Sequence, residues 1–161
     1  MQLTSHFSLA EFTRSESAKR HGVSNEPTQE HSDNIKILCE KVLEPIRFKF
    51  GPINISSGYR SKMLNHFIGG ALKSDHSIGC AADIDQDDSG STYTNNDIFH
   101  YIKDNLKFKQ LIAEFPKNGK LGWVHVSYET GNLKQEILIA TEKVAGRTNY
   151  VRYAGNESLV K

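Results

Sequence analysis

The first third of the chain carries apolar residues at helical spacing. Ile35, Leu38, Cys39, Val42, Leu43 and Ile46 fall at i, i+3, i+4, i+7, i+8 and i+11, one face of a helix that Thr28 can cap. Pro45 lies inside this pattern and is expected to kink or end the helix, because proline removes an i→i−4 hydrogen bond. Upstream, Ser8-Leu9-Ala10-Glu11 has the form of a capping box. It predicts a short helix, with Gly22 closing the local helical signal and Asn25-Glu26-Pro27 forming a turn.

Past Gly51-Pro52 the pattern changes. Ile53 to Ser56 alternates and predicts a strand. A short helix is expected over residues 61–67, ended by Gly69-Gly70. Ser74 to Gly79 reads as a polar loop and residues 81–85 as a short strand. Asp87 to Ser91 reads as a second loop, and Thr94 with Asp97 as the cap of a helix bearing Ile98, Tyr101, Ile102 and Leu106. Residues 108–115, 121–128 and 135–141 predict strands joined by turns of hairpin length. Early helices and late strands make the class α+β, a small mainly antiparallel sheet with helices packed on one side. A catalytic-type domain is expected over residues 1–141, with 142–161 as a C-terminal tail of weak periodicity.

Composition narrows the function. The 161 residues include 20 Lys+Arg against 19 Asp+Glu, a formal charge of +1. Nucleic-acid binding by phosphate neutralisation needs a surplus of basic residues, so no nucleic-acid partner is expected. No apolar run approaches the roughly 20 residues that span a bilayer, so no membrane partner is expected either. The N-terminus lacks the charged-then-apolar pattern of a signal peptide. Two cysteines, Cys39 and Cys80, are then expected as reduced thiols.

Of the seven histidines, two stand apart. His76 lies in Ser74-Asp75-His76-Ser77-Ile78-Gly79-Cys80-Ala81-Ala82-Asp83, and His125 in Gly122-Trp123-Val124-His125-Val126-Ser127-Tyr128. Strand alternation puts Trp123, His125 and Ser127 on one face, and Asp83 and Asp85 on one face of their own strand. A lone His is more often a satisfied core or surface residue than a ligand. Two imidazoles and one carboxylate together, however, form the donor set of an open zinc site.

Several motifs resemble the peptidoglycan metallopeptidases, which include zinc D-Ala-D-Ala carboxypeptidases and the L-alanyl-D-glutamate endopeptidases of phage endolysins. Ser74-x-His76-x-x-Gly79-x-Ala81-x-Asp83 is similar to their first zinc motif, and Trp123-Val124-His125-Val126 to their closing one. Ser57-Gly58-Tyr59-Arg60-Ser61, Phe7-Ser8-Leu9-x-Glu11-Phe12, Asn25-x-Pro27 and Leu43-x-Pro45-Ile46-Arg47 resemble further elements, so the likeness covers about residues 6–128. It implies the sheet shared with Hedgehog signalling domains and one zinc ion held by His76, Asp83 and His125. Arg60 would stabilise the oxyanion or grip the substrate, as a planar cationic fork can.

The general base departs from the pattern. Many members carry Glu three residues before the last His, where this chain has Gly122. Glu114, closing the preceding strand, is the acidic candidate; the bland alternative is an exposed strand-end Glu. Asp85, Ser74 and Trp123 are expected around the ligands. The implied activity is hydrolysis of bacterial peptidoglycan stem peptides by a monomer, either trimming a terminal D-Ala or cutting within the stem. The missing signal peptide leads to the expectation of a phage or prophage lysis enzyme, held in the host bacterial cytoplasm until release to the wall or carried on a virion. The rival is a non-catalytic, metal-stabilised binding module of the same fold, and a weaker third reading is a cytosolic dipeptidase acting on D-Ala-D-Ala.

Overall fold

In the computed structural model the described residues are 1–87, 90–144 and 147–155. The Ser8 capping box starts α1 (Leu9–Thr13), and Ser15, whose side chain accepts from the Ala18 N–H, starts a separate α2 (Glu16–His21) that Gly22 ends in a left-handed conformation. Thr28 caps α3 (Gln29–Leu38) as expected. Pro45 does not end this helix. A π-helical turn over Cys39–Leu43 leads straight into α4 (Glu44–Phe50), and the Glu44 N–H donates to the Cys39 carbonyl five residues back. The wider turn accommodates the proline where an α-helical ladder would lose a bond and meet its ring.

Strands follow in the order β1 (Ile55–Ser57), β2 (Ala81–Ile84), β3 (Gln110–Glu114), β4 (Trp123–Ser127), β5 (Glu136–Val144) and β6 (Arg147–Arg152). Between them lie α5 (Lys62–Phe67), capped by Ser61, a 3₁₀ turn over Asp75–Ile78 and α6 (Asn95–Asn105), which begins at the Thr94 capping box. The six-stranded sheet runs β1-β2-β4-β3-β5-β6, antiparallel except where β5 lies parallel to β3.

Two expectations are corrected here. The turn at residues 129–132 does not fold β5 back onto β4; β5 passes to the far side of β3. Residues 142–161 are not simply a tail, because they finish β5 and form β6, which pairs with β5 from Leu138↔Arg152 to Val144↔Arg147. Residues 88–89, within the expected 87–91 loop, and 145–146 and 156–161 of that tail lie outside the described residues.

One face of the sheet supplies Ala82, Ile84, Leu111, Ala113, Val124, Val126 and Ile139 to the core. The helices answer with Ile35, Leu38, Val42, Leu43 and Ile46 from the long helix and Ile98, Phe99 and Ile102 from α6. The α+β layering read from the sequence is therefore the one formed. The opposite face carries the polar residues described next. Among the described residues no helix is long and apolar enough to cross a membrane.

Candidate metal centre

Asp83 and His125 are direct cross-strand partners on β2 and β4, so their side chains share a face. His125 Nδ1 stands 2.8 Å from Asp83 Oδ1. The third member arrives from the 3₁₀ turn, where His76 Nε2 lies 3.2 Å from His125 Nδ1 and 3.2 Å from Asp83 Oδ1. Gly79 closes that turn at φ +75°, and a Cβ there would stand 2.3 Å from the His31 carbonyl oxygen, so the turn requires glycine.

These spacings suit a small tetrahedral cation. Zinc bound to nitrogen and oxygen at about 2.0–2.1 Å sets its ligand atoms about 3.3 Å apart. Three protein donors leave a fourth position open, the pattern of catalytic rather than structural sites. The imidazole of His76 is also aimed: Nδ1 lies 2.6 Å from the Gly58 carbonyl oxygen. A carbonyl only accepts, so Nδ1 carries the proton and Nε2 presents its lone pair to the centre.

Electrostatics agree with that role. Burial lowers the His76 pKa and favours the neutral imidazole that a metal needs. Burial alone would raise the Asp83 pKa, but the adjacent His76 and His125 outweigh it and hold the carboxyl well below the usual carboxylate range. Arg60 Nη2 approaches Asp83 Oδ2 at 3.6 Å, while its buried Nε has no hydrogen-bond partner among the described residues. Arg60 thus brings a positive charge with unspent donors to the edge of the cluster. The backbone holds it there, since the Arg60 N–H donates to the His76 carbonyl at 3.2 Å.

Glu114 sits on the same face. It pairs with Trp123 on β4, two residues along from the Ile112↔His125 pair. Only 7% exposed, it is not a solvated strand-end residue. Burial pushes its carboxyl up to about 7, with the Asp83 charge acting the same way and His125 and Arg60 opposing. Gly122 adjoins it, donating its N–H to the Glu114 carbonyl at 2.8 Å.

A family model for Peptidase M15 matches residues 5–127. The chain belongs to the M15 peptidase family. No curated protein matches it. An M15 chain is expected to use zinc as a peptidase, and the His76–Asp83–His125 cluster is where this one could hold the ion.

Asp85, Ser74 and Trp123 were also expected around the ligands. β2 ends at Ile84, and the Asp85 N–H donates to the Asn54 carbonyl at 3.1 Å. The Asp85 carboxylate accepts from Asn95 Nδ2 at 3.1 Å, and the same amide donates to the carbonyl of Gly122, tethering the start of α6 to the approach to β4. Ser74 precedes the 3₁₀ turn and accepts the Ser77 N–H through its carbonyl, without a side-chain cap bond. The Trp123 ring packs on Phe115, with centroids 5.2 Å apart. Two supports were not singled out from the sequence. One is the Gly58 carbonyl, a backbone group with no residue-type signal. The other is Lys109, whose Nζ lies 2.6 Å from Asp75, the residue before His76, and 2.8 Å from Glu129. Cys80 is buried and its thiol is pushed up to about 11 by burial, which argues against a thiolate nucleophile.

Proposed function

We propose that this M15 chain hydrolyses peptide bonds in bacterial peptidoglycan stem peptides with one zinc ion held by His76, Asp83 and His125. The observation that carries the reading is the convergence on one sheet face of three metal-donor atoms, a buried carboxyl and an arginine whose Nε has no partner among the described residues. When bound, zinc supplies a Lewis acid and lowers the pKa of a coordinated water to about 7.

The chain's own residues do the rest. Glu114 accepts a proton from the attacking water and returns it to the leaving amine. A carboxyl whose pKa lies at about 7 suits a group that must both take and give a proton near neutrality. The usual acidic position is Gly122, but Glu114 lies across from the adjacent Trp123, so the carboxyl comes from the neighbouring strand instead. Arg60 donates to the carbonyl oxygen as negative charge gathers there.

The test combines metal analysis with digestion of purified sacculi. The wild-type protein should carry about one zinc and release new amino ends, either at D-Glu after L-Ala or as free D-Ala. His76→Ala with His125→Ala should lose the zinc, and Glu114→Gln should keep it while losing activity about 10²–10⁴-fold. Zinc bound with sacculi left intact would turn the assignment to the binding-module reading; cleavage of casein instead would refute the wall substrate. The proposal extends to a phage or prophage lysis role, for which expression in a host permeabilised to the wall should clear the culture only with Glu114 present.

A further inference from the structure

The sheet carries the polar face of the centre beyond the part that matches the family. Trp123 on β4 pairs with Glu114 on β3, Glu114 with Ala140 on β5, and Ala140 with Tyr150 on β6. Residues paired in register share a face, so Tyr150 lies on the side of the sheet that holds the metal donors and Glu114. The intervening Ala140 is fully buried and offers only a methyl group. Two strand spacings, about 10 Å between backbones, then separate Glu114 from Tyr150.

The phenol belongs electrically to the centre. It lies within reach of the charges of Glu114, Asp83 and Arg60. Tyr150 is nonetheless 51% exposed, so it forms a rim open to a ligand rather than a filled core. Across the sheet the order is metal donors, then Glu114, then Tyr150. The amine that receives its proton from Glu114 must lie at Glu114, and a peptide half that runs on from it in the same order across the sheet reaches Tyr150 on β6.

We propose that Tyr150 is a substrate-contacting residue, its hydroxyl donating a hydrogen bond to a carbonyl or carboxylate oxygen of the leaving half of the stem peptide. This rests on the peptidase reading above and adds the residue that recognises one side of the cleaved bond.

The experiment uses zinc-loaded full-length chain and a synthetic stem pentapeptide ending in D-Ala-D-Ala. Tyr150→Phe, which keeps the ring, should leave zinc content and melting temperature unchanged. KM for the pentapeptide should rise about tenfold, the size of one lost hydrogen bond. Inhibition by the amine-bearing product should weaken equally, and inhibition by the acyl product should not change. Calorimetric binding of the uncleaved pentapeptide to Glu114→Gln, with and without Tyr150→Phe, gives the same comparison without turnover. Unchanged KM and affinity, or weakening confined to the acyl product, would overturn the role while leaving wall-peptide hydrolysis intact. A wild-type chain that binds the peptide through Tyr150 without cutting it would keep the contact and refute the hydrolysis. A chain that does not bind it would refute the contact.

Discussion

The Nδ1 atom of His76 and the carbonyl oxygen of Gly58 stand 2.6 Å apart, and this bond turns the opposite ring nitrogen of His76 towards Asp83 and His125. It explains why two motifs so far apart in the chain belong to one site. Gly58 has no room for a side chain, since a Cβ would lie 2.6 Å from the Phe12 Cα. Gly58→Ala should therefore push the carbonyl away from His76. Zinc affinity should fall about 10–100-fold, the usual effect of losing a ligand's orienting partner. Competition with a chromogenic chelator measures it, and unchanged affinity would show that the Gly58 carbonyl does not set the imidazole.

Glu114 ties function to stability. Its carboxyl ionises at 4.5 by ordinary measure and at about 7 in the fold. Between those values the folded state holds the proton more tightly, so the fold loses stability as pH rises from 4.5 to about 7, and the full cost is present above 7. Glutamine has no such cost. Glu114→Gln in chelator should match wild type near pH 4.5 and exceed it at pH 8, by up to roughly 3 kcal/mol. Thermal melts at the two pH values decide it; an equal difference at both would mean that the buried carboxylate is tolerated without penalty.

Lys109 clamps the loop that carries His76 to the turn after β4 through Asp75 and Glu129. Lys109→Met should leave two carboxylates without their cation and cost about 1–3 kcal/mol. Asp75→Asn alone should also destabilise, and the double variant should cost less than the sum of the two. Urea melts of the four proteins close the cycle, and strict additivity would show that the pair is not coupled.

Arg60→Lys keeps the charge but loses the fork. If Arg60 serves the developing oxyanion, kcat should fall about 10²–10³-fold with little change in KM. A rise in KM alone would make it a ground-state grip.

Much of this was legible because local rules and tertiary structure agree. Ser8, Thr28 and Thr94 cap the helices they were expected to cap, and Ser61 caps the helix expected over residues 61–67. Alternation put Asp83 and His125 on usable faces, and the register then made them partners. The failures are equally physical. Pro45 signals a break only if the helix stays α, and the π turn before it removes that premise. A turn's length does not name a strand's partner, so the parallel β3–β5 pairing was hidden. β6 was missed because all but one of its residues are exposed, which leaves no apolar alternation to read. The bond from Asn95 to the Asp85 carboxylate was hidden because alternation along one strand does not name a partner on a helix.

The sheet order also separates what is fixed from what is free. β3, which bears Glu114, is hydrogen-bonded to β4 on one side and β5 on the other, whereas β6 lies at the sheet edge. Backbone amides of β3 should exchange with deuterium only on global opening, and those of β6 through local fraying. Changes on β6 can therefore alter the rim beside the centre while the proton-transferring carboxyl keeps its place, so the range of accepted peptides can drift without rebuilding the chemistry.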